Sequence, residues 1–141
     1  MIWMLISLIL AMGLSLAAKS IDYGTAPSQW KNTLLGNESE FIDPLSFNDL
    51  LLSVHTDLFG LILIFILIAS LMVRTSRSVR LKMGFLGLGM ISLLLYPTAL
   101  LAVPWVGAVG VMSAASAFIL FHLLMMAGGI DLLIALIGRK L

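Results

Sequence analysis

The sequence predicts an all-α integral membrane protein, a four-transmembrane-helix up-down bundle with both termini on the cytoplasmic side. Hydrophobic residues make up 61% of the 141 residues and charged residues 11%, and the mean hydropathy is +1.14. An average soluble domain is about 45–50% apolar and about 25% charged. The apolar residues form continuous runs without alternation, which excludes a membrane β-barrel. The spans are therefore helices, because lipid leaves backbone polar groups without partners.

Charge, cysteine content and motifs exclude several classes of protein. Eight Lys and Arg residues against seven Asp and Glu give a net charge of +1, which argues against a nucleic-acid partner. The absence of cysteine excludes disulfides, thiolate zinc sites and Cys-ligated iron–sulfur clusters. No phosphate-binding loop, zinc-protease motif or nucleophile elbow is present. The chain therefore shows no catalytic motif of its own, and if it is redox-active, we expect it to be a subunit of an oxidoreductase complex.

The first half of the chain contains two predicted spans. Residues 1–18 carry no charged side chain and form the first span. They resemble a signal peptide, but the basic start of such a peptide is missing, so we interpret them as a retained helix. Residues 19–49 form a polar external segment, and residues 50–73 form the second span. The second helix is expected to begin before the lipid at Asp43-Pro44, because Asp caps free N–H groups and Pro fits the first helical position.

The second half contains the other two spans. Charged and turn-forming residues divide it into a basic cytoplasmic loop, a third span, an external turn and a fourth span: residues 74–82, 83–103, 104–110 and 111–138. Pro97 is expected to kink the third helix, and Pro104 to end it.

The distribution of charge predicts the orientation. The short loop 74–82 holds four cations and no acid, the chain ends on Arg139-Lys140, and segment 19–49 holds most of the acids. Positive loops remain in the cytoplasm, so the acidic segment lies outside. Three tryptophans fall near the predicted interfaces, where aromatic belts lie: Trp3, Trp30 and Trp105. We expect a multi-pass protein of a bacterial inner membrane, in contact with the lipid bilayer.

Two of the four ionisable residues inside the spans, His55 and His122, have matching depths. His55 lies 18 residues before Val73, about 27 Å along a helix, and His122 lies 16 residues before Gly138, about 24 Å. The second and fourth helices run in the same direction, and in an up-down bundle they are diagonal partners. Intramembrane ionisable residues are costly and usually functional.

Two imidazoles at one level across a bundle are typical of a b-type haem site with two histidine ligands. Gly60 would leave room for the macrocycle. The first hypothesis is therefore an electron-transfer subunit of a respiratory or photosynthetic-type redox complex, with haem between His55 and His122. It would pass electrons between a quinone and an external redox protein. This architecture is similar to that of membrane cytochromes b.

The second hypothesis is a haem-free accessory or assembly subunit of a larger membrane complex, because the chain is small and lacks motifs. Asp57 lies about 200° around the helix from His55 and is expected to face outer water, another subunit or Lys31. Asp131 is expected to pair with Arg139, the basic loop or a partner protein. A proton relay through these acids is a further alternative, although their different depths disfavour it.

Overall fold

A computed structural model describes residues 1–138, apart from the side chain of Pro27. Residues Arg139 and Lys140, on which part of the charge argument rests, lie outside the described residues. Within the described part, four helices are long and apolar enough to cross a membrane: α1 (Ile2–Tyr23), α3 (Phe47–Val73), α4 (Val79–Val106) and α5 (Ala108–Ile137). The predicted four-helix membrane fold is confirmed.

Two helix boundaries in the external segment differ from the prediction. Helix α1 continues through Lys19 to Tyr23, so its 22 residues extend about 33 Å. This length is sufficient to span the hydrocarbon of a bilayer, which is about 30 Å thick. Helix α3 begins at Phe47 rather than at Pro44. Its N-cap is Ser46, whose hydroxyl accepts a hydrogen bond of 3.2 Å from the backbone N–H of Asp49.

The predicted external turn 104–110 is a single residue in the structure. Pro97 and Pro104 both lie inside α4, which ends at Val106, and α5 begins at Ala108. The chain reverses at Gly107, whose φ of 58° favours glycine. Because so short a connection makes α4 and α5 neighbours, they form an antiparallel hairpin, which is the most extensive helix contact in the bundle.

Small residues allow this hairpin to pack closely. At Gly110, a Cβ atom would lie 3.2 Å from the carbonyl oxygen of Ala99 and 3.2 Å from the Cα of Val103. Ala114 and Ala117 follow on the same face of α5 and are buried. Their spacing of three to four residues is typical of close helix packing in membranes. In the structure this face of α5 packs against α4 of the same chain.

A short helix, α2 (Pro27–Leu35), covers the outer end of the bundle. It packs mainly on α5 and buries Trp30 and Leu34. The Trp30 indole N–H donates a hydrogen bond of 3.0 Å to the carbonyl of Gly24. Trp30 is therefore a core residue, whereas Trp3 and Trp105 are exposed at helix ends, as interfacial tryptophans are.

Candidate functional site

The site is built around Lys19, in the last turn of α1. Lys19 is only 6% exposed, although it belongs to residues 19–49, the segment predicted to be polar and external. The ammonium nitrogen lies 2.7 Å from a carboxylate oxygen of Asp57 on α3. It also donates a hydrogen bond of 2.9 Å to the hydroxyl of Ser53, and it lies 4.7 Å from the centre of the Tyr23 ring. A buried cation is stable only when it is paired in this way.

Asp57 has a second partner on a third helix. The phenol of Tyr96, on α4, donates a hydrogen bond to the carboxylate oxygen that contacts Lys19. Tyr96 is fully buried, and the Asp57 side chain is 17% exposed. Tyr23 completes the cluster, with its hydroxyl 2.9 Å from that of Ser53. We call these five residues the outer polar cluster: Lys19, Tyr23, Ser53, Asp57 and Tyr96.

Helical spacing brings the outer polar cluster together. Lys19 and Tyr23 are four residues apart on α1, as are Ser53 and Asp57 on α3, so each pair lies on one face of its helix. Asp57 lies 16 residues before Val73, about 24 Å along α3, which places the cluster in the outer part of the hydrocarbon. Helices α1 and α3 make few direct contacts. Long polar side chains thus join them.

His122 lies in the core beside this cluster. It is fully buried on α5, where its ring centroid lies 4.2 Å from that of Phe118. Its Nδ1 is 2.8 Å from the Phe118 carbonyl oxygen, and its Nε2 is 3.1 Å from the hydroxyl of Ser15 on α1. A neutral imidazole has one N–H and one acceptor nitrogen, so both of its hydrogen-bonding positions are engaged.

His55 and Asp57 point the opposite way from the orientation expected from the sequence. Because they lie about 200° apart on α3, only one of them faces the bundle. The structure turns Asp57 inward to Lys19 and Tyr96, and leaves His55 exposed on the outer face of α3. Asp57 thus pairs with Lys19 rather than with Lys31, and part of its carboxylate stays open to the outer water. The cause is the buried Lys19, which the sequence analysis had placed outside.

The structure does not bring His55 and His122 together within the chain. One ring is exposed and the other is enclosed by Ser15, Phe118 and Phe121. Gly60 faces open space, where an added Cβ would meet no atom within 4 Å. This geometry does not favour a haem shared by the two histidines, and the haem stays a prediction. No group of three or more His, Cys, Asp or Glu side chains in the described part of the chain is placed to hold a metal ion.

Asp131 pairs with the basic loop, as one of its predicted alternatives states. Arg77 donates hydrogen bonds from two guanidinium nitrogens to the two carboxylate oxygens of Asp131. The side chains are 54% and 32% exposed, so this pair lies at the surface of the protein. This ion pair holds the basic loop against α5, far from the outer polar cluster.

Four residues of the site were not predicted from the sequence: Lys19, Tyr23, Ser53 and Tyr96. In the structure Lys19 continues the buried face of α1 formed by Leu5, Leu8 and Met12, but residues 1–18 are largely apolar on all sides, so the sequence does not mark this face. Tyr96 lies in the middle of the third predicted span. Its burial is not visible in the sequence, because α4 is apolar on all sides.

An open polar cleft lies above the outer polar cluster. It has a volume of about 450 Å³ and reaches Lys19 and Asp57 from the external side. Asp22 and Asp49 also line it, so its wall holds three carboxylates against one ammonium group. Water from the cleft therefore reaches the outer edge of the Lys19–Asp57 ion pair. On the inner side, Tyr96 separates this ion pair from the interior of the bundle.

The comparisons with known proteins identify a family of membrane domains. The family model Aq_1264_TM, described as a transmembrane helical domain, matches residues 24–140. No curated protein and no solved structure matches the chain significantly. The match covers α2 to α5 and extends over most of the chain. The chain therefore belongs to the Aq_1264_TM family of transmembrane helical domains.

Proposed function

We propose that this chain is a haem-free accessory subunit that docks beside another membrane-embedded chain in a larger complex. The observation that carries the proposal is the different placement of the four ionisable residues that the sequence places inside the spans. Asp57, His122 and Asp131 have partners within the chain, whereas His55 faces away from the bundle.

The three paired residues serve to hold the bundle in one arrangement. Asp57 connects α3 to α1 and α4, His122 connects α5 to α1, and Asp131 connects α5 to the basic loop. Hydrogen bonds between membrane helices contribute modestly one by one, about 0.6 kcal/mol on average. Together they orient four helices whose apolar faces would otherwise pack in several ways. This use of the polar groups supports a structural role.

The outer face of α3 is the surface that we assign to the partner. His55, Thr56 and Phe59 are exposed there, next to the open space at Gly60. An imidazole at the edge of the hydrocarbon is costly when it faces lipid alone. A neighbouring transmembrane helix that offers a hydrogen-bonding group would remove this cost, and Gly60 would let its backbone approach closely.

The test is the size of the assembly in native membranes. The tagged full chain is extracted from its source membranes in a mild detergent and separated by native electrophoresis. We expect a species much larger than the 15.3 kDa chain, and we expect His55→Leu to reduce its amount. The matched control is Thr98→Val on α4, outside this surface, where the exposed threonine hydroxyl bonds to the Leu94 carbonyl of its own helix. A monomer, or a complex that His55→Leu leaves intact, contradicts the proposal.

A visible spectrum separates this proposal from the electron-transfer hypothesis. The scaffold role predicts no cytochrome α-band in the reduced-minus-oxidised spectrum, with haem supplied during expression. An α-band that disappears in both His55→Ala and His122→Ala would overturn the scaffold role and favour a haem between these residues. The quinone, the external redox protein and the oxidoreductase complex are expectations of that hypothesis alone. The location in a bacterial inner membrane is part of our proposal and rests on the charge of the loops.

A further inference from the structure

A second cavity lies at the cytoplasmic end of the bundle, and its chemistry differs from that of the outer cleft. It has a volume of about 610 Å³ and lies where the end of α3, the beginning of α4 and the last third of α5 meet. Neither the outer polar cluster nor the outer face of α3 contributes to it. The inference drawn from it is therefore independent of the proposed function.

The walls of the cytoplasmic cavity are apolar and contain two glycines. Met72, Leu81 and Phe85 line it together with Gly84 and Gly128. A Cβ atom on Gly128 would lie 2.5 Å from the Phe85 ring, so this glycine allows the ring to approach α5 closely. A Cβ atom on Gly84 would meet no atom within 4 Å, so the space beside it is open. The cavity thus has room for a hydrocarbon chain.

The rim of the same cavity is cationic. Arg77, Arg80 and Lys82 line it, together with the single acid Asp131, which gives a formal charge of +2. Arg77 is paired with Asp131. The Lys82 ammonium donates to the carbonyls of Val73 and Thr75, each at 3.2 Å, and has no carboxylate partner among residues 1–138. Arg80 is exposed and has no hydrogen-bonding partner among residues 1–138.

We infer that the cytoplasmic cavity binds an anionic phospholipid of the inner leaflet. Its phosphate lies against Arg80 and Lys82, and one acyl chain lies along Phe85 beside Gly84. Basic pockets between membrane helices on the cytoplasmic side are suited to anionic headgroups. Arginine also offers two parallel N–H donors to phosphate oxygens. The occupant therefore needs both a negative headgroup and a hydrocarbon tail, which a free phosphate lacks.

The outer cleft provides a contrast within the same molecule. Its wall carries an excess of carboxylates over Lys19, so it repels the same headgroup. Between these two sites, within residues 1–138, the cytoplasmic one combines apolar walls with a positively charged rim. We therefore expect an anionic phospholipid to bind in one leaflet and not at the matching depth in the other.

The experiment measures lipid retained by the purified full chain. The protein in detergent is exposed to equal amounts of phosphatidylglycerol and phosphatidylcholine, and native mass spectrometry counts the bound lipids. We expect one phosphatidylglycerol to be retained preferentially. Arg80→Ala should weaken its binding about fivefold, as expected for one cation near a membrane surface. Arg74→Ala is the matched control, since it removes the same charge from the same loop but does not line this cavity.

A second pair of variants separates the cavity from general attraction to basic residues. Gly84→Leu fills the open space without changing the charge and should abolish the preference. Gly87→Leu, at an exposed position one turn along α4 that does not line the cavity, should preserve it. Equal retention of both lipids, equal behaviour of the two leucine variants, or displacement of the lipid by millimolar inorganic phosphate would each overturn the inference.

Discussion

Lys19 and Asp57 form an ion pair of 2.7 Å between α1 and α3, two helices that otherwise make few direct contacts. Removing one partner of a buried pair leaves the other charge uncompensated, at a cost of about 3–5 kcal/mol. We therefore expect Lys19→Met to lower the free energy of unfolding in detergent by about this amount. Adding Asp57→Leu to that variant should recover part of the loss, because no buried charge remains. A Lys19→Met protein as stable as the original would contradict the pairing.

Tyr96 should contribute more to stability than Tyr23, although both are phenols in the same cluster. Tyr96 donates to the charged carboxylate of Asp57, and Tyr23 shares a hydrogen bond with the neutral hydroxyl of Ser53. Hydrogen bonds to charged groups contribute about 1.5–3 kcal/mol, and neutral ones about 1 kcal/mol. We expect Tyr96→Phe to destabilise the protein more than Tyr23→Phe in the same unfolding assay. The reverse order would show that Asp57 does not depend on Tyr96.

The contact between His122 and Ser15 gives a third prediction. In a double-mutant cycle of His122→Phe and Ser15→Ala, the free energies of unfolding should show a coupling of about 0.6–1.7 kcal/mol, the range typical of hydrogen bonds between membrane helices. His122→Phe with Ser20→Ala is the control cycle, because the Ser20 hydroxyl bonds to the Leu16 carbonyl within its own helix. A coupling of zero between His122 and Ser15 would remove this link between α1 and α5.

Gly110 should be intolerant of a methyl group, in contrast to Gly13. A Cβ atom at Gly110 would lie 3.2 Å from backbone atoms of Ala99 and Val103, which cannot move independently of α4. We expect Gly110→Ala to cost about 1–3 kcal/mol through overpacking. Gly13→Ala, where the added atom meets nothing within 4 Å, should leave stability unchanged or slightly higher, because alanine favours a helix. Thermal unfolding of the two variants measures the difference.

The orientation can be tested with single cysteines, because the natural chain has none. In intact cells, an impermeant maleimide should label Glu38→Cys in the external segment. It should label Val79→Cys, at the start of α4, only after the membrane is made permeable. The reason is that the four cations in the loop 74–82 predict a cytoplasmic location for this end. Labelling of Val79→Cys in intact cells would show that the orientation is the reverse of the predicted one. The cationic cavity would then lie in the other leaflet.

The number of spans and the pairing of Asp131 with the basic loop could be predicted from the sequence. Continuous apolar length and loop charge are local properties, and a membrane converts them directly into spans and sides. Helix ends were predicted less accurately. Ser46, rather than Asp43, caps the start of α3. A single glycine, Gly107, forms the turn between α4 and α5, where the sequence had predicted a longer turn over residues 104–110.

Which side of each helix faces inward was decided only by the tertiary structure. Lipid and a protein interior are equally apolar, so hydrophobicity does not distinguish the two faces of a membrane helix. On α3 the choice between His55 and Asp57 therefore depended on Lys19 and Tyr96, which lie 38 and 39 residues from Asp57 along the chain. The sequence alone determined how many times the chain crosses the membrane. The packing of α1 and α4 around Asp57 decided which polar side chains meet inside it.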